Sequence, residues 1–134
     1  MDGRNERPVD HINRTHPGRA VAKETNEVDK VLLVAPELES RGTSEYTVNL
    51  AKELKRLGIE VAVFCGPGPM LAMLELVGVP ITTFKRVESL RPLFGERRAF
   101  LAAVERFAPQ LVHAQSFRVA DCLRPLSRRI RVPM

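Results

Sequence analysis

Two short stretches carry the residue types that could do chemistry. The first is "ESRGTS", where Gly42 precedes Thr43 and Ser44. The second is "LVHAQS", which holds His113, Gln115 and Ser116. A glycine ahead of a helix lets backbone approach a ligand closely, and the first helical N–H groups can hold a phosphate or carboxylate. Read from spacing alone, Gly42 is either such a site or a plain turn glycine. No G-x-G-x-x-G and no P-loop lysine accompanies it. His113 can orient a hydroxyl or act as a base, or it is a half-buried histidine bonded to backbone. Asp121, further along, is a candidate acid or cap. No nucleophile, base and orienter can be assembled around His113 from the sequence, so the catalytic residues stay unassigned.

The elements that must position these residues follow from the hydropathy pattern. "VLLVAP" is a continuous apolar run of strand length, as expected for a strand covered on both faces. Thr43 or Ser44 is placed to cap the following helix. Tyr46, Leu50, Leu54 and Leu57 recur at steps of four, four and three, which predicts its apolar face. Lys55 and Arg56 suit the negative C-terminal end, and Gly58 ends the helix. "IEVAVFC" alternates and is rich in β-branched residues, so it reads as a second strand. After the "GPGP" break come a short helix ended by Gly78 and a short strand "PITTF". A helix over residues 95–107 presents Phe100, Leu101, Val104, Phe107 and Ala108, and Pro109 stops it. "LVHAQ" is a fourth strand. Residues 119–129 are helical in pattern, with Pro125 breaking them into pieces. "IRVPM" can begin a fifth strand.

Strands alternating with helices predict an α/β fold, a Rossmann-like parallel sheet with helices on both faces. The expected strand order is 3-2-1-4. Ligands bind such sheets at the carboxyl ends of the strands where the order reverses, here between strands one and four. That places the loop after Pro36 beside the loop after Ala114. Alternation along strand four puts His113 and Gln115 on one side of the sheet and Ala114 on the other.

Composition narrows the classes. The chain has 134 residues and is 44% hydrophobic, enough for one domain with its own core. No apolar run approaches the roughly 20 residues of a membrane span. The N-terminus lacks the apolar segment of a secretory signal and carries too many acids for a transit peptide. Cys65 and Cys122 are too few for a disulfide framework, show no metal-ligand spacing and read as packing residues. A reducing, cytoplasmic setting is expected, with no metal and no cofactor. Residues 1–29 read as a flexible polar tail in which His11 and His16 have no assigned task. They hold five Lys/Arg against six Asp/Glu, whereas residues 30–134 hold sixteen against ten. The folded part is therefore the basic part. Lys85, Arg86, Arg91, Arg97 and Arg98 form a basic stretch that suits an anionic acceptor, lipid head groups at the inner face of a membrane, or plain solvent. Aromatics are only 5% and do not interleave with the basic residues, so no nucleic-acid partner is expected.

Taken in order, "KVLLVAP", "RGTSEYTVNLAKELKRLGIEVAVF", "LVGVPITTF" and "FLAAVERFAPQLVHAQS" resemble the N-terminal domain of family 4, glycogen-synthase-like, GT-B glycosyltransferases. Leu50, Ala51, Leu54, Gly58 and Val61 fall in the register of that family's first helix and second strand. Residues 78–80, "GVP", and residues 108–116, "APQLVHAQS", match further segments. The resemblance implies a retaining transferase that moves a sugar from a nucleotide-sugar donor to an acceptor between two Rossmann-like domains. It implies an acceptor-side role for this domain, with a sugar or lipid-linked acceptor. Most donor contacts, including paired glutamates, would come from a C-terminal domain.

The resemblance further implies that Arg41, Gly42, Thr43, His113, Gln115 and Ser116 lie near substrate or phosphate. Arg41 stands where the family has the first glycine of a pair, and its guanidinium could itself reach a phosphate. Gln115 stands where many relatives have a second histidine that contacts the donor sugar, and glutamine can hydrogen-bond but cannot titrate. Residues 30–134 are thus expected to be an incomplete N-terminal domain, ending near its fifth strand and inactive alone. The competing reading is a non-catalytic Rossmann-like module that binds an anionic small molecule or a protein. An incomplete sheet leaves an uncovered edge strand and uncovered apolar faces. Marginal stability or self-association is therefore expected, and a monodisperse monomer that melts cooperatively in light scattering and calorimetry would contradict it.

Overall fold

In a computed structural model, residues 27–39, 42–84 and 96–134 are described. The expectation of a flexible tail falls largely outside these residues, as do Arg41, Lys85, Arg86 and Arg91. The elements are β1 (Lys30–Val34), α1 (Thr43–Arg56), β2 (Glu60–Cys65), α2 (Leu71–Val77), β3 (Ile81–Thr83), α3 (Arg97–Phe107), β4 (Leu111–Ala114), α4 (Phe117–Leu123), a 3-10 turn (Arg124–Leu126) and α5 (Ser127–Ile130). The four strands form a parallel sheet in the order β3-β2-β1-β4. This is the α/β, Rossmann-like arrangement that the alternating pattern predicts.

The central strand explains the two layers around it. Alternate residues of β1 face opposite sides. Leu32 and Val34 join Phe64, Phe84, Phe100, Val104, Val112, Val119 and Leu123 in one core. Val31 and Leu33 join Leu38, Val48, Ala51, Val63, Cys65 and Leu74 in the other. Helices α3 and α4 cover the first face, and α1 and α2 the second. Phe64 is the hub of the first core. Its ring centroid lies 5.3 Å from Phe84 and 5.6 Å from Phe100, the latter edge-on at 73°. Aromatic pairs in this geometry add about 0.5–1.5 kcal/mol beyond burial.

Several local expectations are corrected. The buried face of α1 is Ser44, Thr47, Val48 and Ala51, not the stripe of Tyr46, Leu50, Leu54 and Leu57. Tyr46 and Leu57 are 56% and 63% exposed, while Leu50 and Leu54 only flank the core. Small residues let the helix lie close against the sheet, and the Thr47 hydroxyl donates to the Thr43 carbonyl at 2.7 Å, so its burial leaves no orphaned donor. Helix α1 is capped by Gly42 with no side-chain cap bond, so neither Thr43 nor Ser44 plays the expected part. Lys55 and Arg56 do stand in the last turn of α1 as expected, and Lys55 also serves the C-terminus of α2. Its Nζ donates to the carbonyls of Val77 at 2.7 Å and Gly78 at 3.4 Å. Ala108 is the left-handed C-cap of α3, with φ 51°, rather than part of its buried face.

Pro125 divides the C-terminal helix as expected, at the 3-10 turn. Residues 127–130 are helical, and no fifth strand is formed among the described residues. Even so, the Val112 N–H donates to the Pro133 carbonyl at 2.9 Å. That bond lies on the flank of β4 away from β1, where a further parallel strand would pair.

The loops at the carboxyl edge are tied together. Gly66 N–H donates to the Pro36 carbonyl, Leu38 N–H to the Pro67 carbonyl, and Met70 N–H to the Leu38 carbonyl, at 3.1–3.2 Å. Leu38 itself is fully buried. The approach is so close that a Cβ on Gly68 would lie 2.0 Å from the Leu38 carbonyl oxygen. The fold therefore requires glycine there. Gly68→Ala should lower stability by at least about 1–3 kcal/mol, the usual cost of forced overpacking. An unchanged urea midpoint for this variant would show that the two loops are not stitched as described.

Candidate functional site

The carboxyl edge of the sheet is where the two chemistry-bearing stretches meet. The register pairs Val34 with Ala114, so β1 and β4 end side by side. The Gln115 N–H continues the ladder by donating to the Val34 carbonyl at 2.9 Å. Ala114 packs on the core beneath α3 and α4, whereas Leu111 packs on the core beneath α1 and α2. His113 and Gln115 share the parity of Leu111, so they stand on the α1 face of the sheet. Helix α1 begins at this same edge.

The local geometry gives each residue a different standing. Gly42 adopts φ 59° and ψ −110°, a combination open to glycine and strained for other residues. With no side-chain cap, the N–H groups of the first turn have no intrahelical partner. Thr43 is the first helical residue, and its carbonyl receives the Thr47 hydroxyl. Arg41 lies outside the described residues. Gln115 Nε2 lies 2.7 Å from His113 Nδ1. Its Oε1 is buried and has no hydrogen-bond partner. Ser116 is the N-cap of α4 and accepts from the Val119 N–H at 3.3 Å, which sets where that helix starts. Asp121 forms an exposed ion pair with Arg124 at 3.2 Å and takes no part in the edge.

Two features of this edge were not read from the sequence. The Gly66–Gly68 backbone buttresses the β1–α1 loop, and the signal for it was the paired Gly-Pro steps, which leave backbone free to be approached. Phe117, the first residue of α4, is 92% exposed beside the edge. Its signal was an aromatic placed directly after the "HAQS" segment. By contrast, the cavity of about 300 Å³ lined by Lys55, Gly58, Glu60, Val79 and Phe107 lies at the amino ends of β2 and β3. It is on the opposite side of the molecule from these residues.

Among the described residues no cluster of His, Cys, Asp and Glu could hold a metal ion. None of their helices is long and apolar enough to cross a membrane. The parallel order and the switch between β1 and β4 define a Rossmann-like domain, with polar side chains gathered on one face of that edge. Residues 40–134 match the family Glycosyltransferase Family 4, and the chain belongs to it, as a glycosyltransferase-like N-terminal domain. No curated protein and no solved structure shows significant similarity to the chain.

The cysteines behave as packing residues. Cys65 is fully buried at the end of β2, and burial pushes its thiol up to about 12 from an ordinary value of 9.0. Cys122 is half-buried. A raised thiol value favours the folded state fully below about pH 9 and loses that contribution as pH rises toward 12. Iodoacetamide should therefore modify Cys122 well before Cys65 in the native protein. Stability should fall between about pH 9 and 12, and Cys65→Ala should flatten that fall. Equal alkylation rates for the two thiols would contradict the burial of Cys65.

Proposed function

We propose that the chain forms the acceptor-side wall of a sugar-transfer site, completed by a donor-binding domain, and that the reaction retains the anomeric configuration. In that reaction the bond between the anomeric carbon and the donor phosphate oxygen breaks. A bond to the acceptor hydroxyl oxygen forms, and a nucleoside diphosphate leaves. The observation that supports a ligand at this edge is the buried, unfilled Gln115 Oε1 beside His113. A buried acceptor without a partner costs about 1–3 kcal/mol, and such exceptions in folded proteins call for a functional reason. The two side chains stand at the strand-order switch, where open α/β sheets bind ligands. Membership of Glycosyltransferase Family 4 adds the sugar chemistry. Gly42 and the first turn of α1 would face the donor diphosphate, since uncapped N–H groups favour an anion.

A single wall leaves the donor diphosphate without most of its partners, so the chain alone should not transfer sugar. Mixed with nucleotide sugars and acceptors, it should be silent, and it should turn over when a donor-binding domain of the same family is supplied. In that reconstituted mixture His113→Ala or Gln115→Met should reduce turnover by about 10- to 100-fold, as loss of a hydrogen bond to substrate does. Robust turnover by the isolated chain would refute the divided site. Unchanged turnover in both variants would refute the assignment of this edge.

A further inference from the structure

The contact between Gln115 and His113 fixes more than a side-chain position. An amide nitrogen offers two N–H donors and no acceptor, so at 2.7 Å His113 Nδ1 must be the acceptor. The ring proton of the neutral imidazole then resides on Nε2. Turning the amide over would set Oε1 against a protonated Nδ1 and move the NH2 group to the place Oε1 now occupies. That place is buried and supplies no partner. An under-satisfied carbonyl oxygen is tolerated there better than orphaned N–H donors, so the observed orientation is favoured.

We infer that Gln115 is a positioning residue that locks His113 in the Nε2–H tautomer, making the imidazole a hydrogen-bond donor to ligand rather than a base. While the contact holds, Nδ1 is occupied and Nε2 already carries its proton, so neither nitrogen can take one from a substrate hydroxyl. The pair then offers a ligand one donor, His113 Nε2–H, while Gln115 Oε1 stays buried behind it. That role toward ligand rests on the reading of the edge as a sugar site, whereas the tautomer lock does not.

The lock is read directly from long-range proton–nitrogen correlation spectra of the 15N-labelled chain in mildly alkaline buffer. His113 is assigned by the signals lost in His113→Asn. The native chain should show the Nε2–H form in large excess. Gln115→Met removes the amide and should shift the tautomer ratio about fivefold toward the mixture of a free imidazole, the effect of one ordinary hydrogen bond. Gln115→Glu offers only acceptors to Nδ1 and should invert the preference. A native chain dominated by the Nδ1–H form would overturn the lock, as would a ratio unmoved by both substitutions. Failure of sugar transfer in the reconstituted mixture would leave the tautomer ratio untouched, so the two ideas fail separately.

Discussion

Burial of β1 on both faces is the constraint on which the other features depend. A strand inside a parallel sheet exposes no face to water, so every residue from Val31 to Val34 must find apolar cover. Its odd residues require α1 and α2, and its even residues require α3 and α4. Because β2 and β4 flank β1 on either side, their alternation is fixed by the same layers. The identity of the face that carries His113 follows from that: Ala114 must go down into the α3–α4 core, so His113 and Gln115 must stand on the other side.

The second constraint is backbone satisfaction at the carboxyl edge. Three backbone bonds join the loop after β1 to the loop after β2, and the absent Cβ of Gly68 permits the approach. Buried Leu38 pins the same loop into the core. The side of the loop nearer β1 is thereby held, while Gly42 turns the chain into α1 with a backbone conformation suited to glycine. Surface ion pairs such as Lys30–Glu60 at 3.6 Å and Arg56–Glu53 at 2.8 Å decorate this frame. Exposed pairs of this kind contribute little, so the frame rests on burial and on its ladders.

Function at such an edge depends on which polar groups are left incomplete. Most polar atoms near it are satisfied: the Ser116 hydroxyl caps α4, and the Gln115 backbone N–H extends the β1–β4 ladder. The unfilled Oε1 stands out against that background, since buried polar groups in folded proteins are nearly always paired. A glutamine here, rather than a second histidine, supplies both the donor that occupies Nδ1 and the acceptor that remains. On the proposed reading, such a pair orients a ligand hydroxyl without exchanging protons with it.

Much of this was legible in the chain itself. The unbroken run "VLLVAP", the β-branched "IEVAVFC" and the glycine-terminated helices determined four strands, their parallel pairing and the order 3-2-1-4, because period and punctuation depend on neighbours in sequence. The positions of His113 and Gln115 on one face followed from alternation alone. Other features needed the tertiary structure. The contact face of α1 is made of Ser44, Thr47, Val48 and Ala51 because close packing on the sheet favours small side chains, and hydropathy weights the larger Tyr46 and Leu57 instead. The tie between Gly68 and Leu38 joins residues 30 positions apart, which no local pattern records. The bond from Gln115 to His113, and the buried oxygen it leaves over, arise only where strand, loop and neighbouring core close around two side chains at once. Sequence determined where the carboxyl edge of strands one and four lies, and packing decided which of its polar groups are left without a partner.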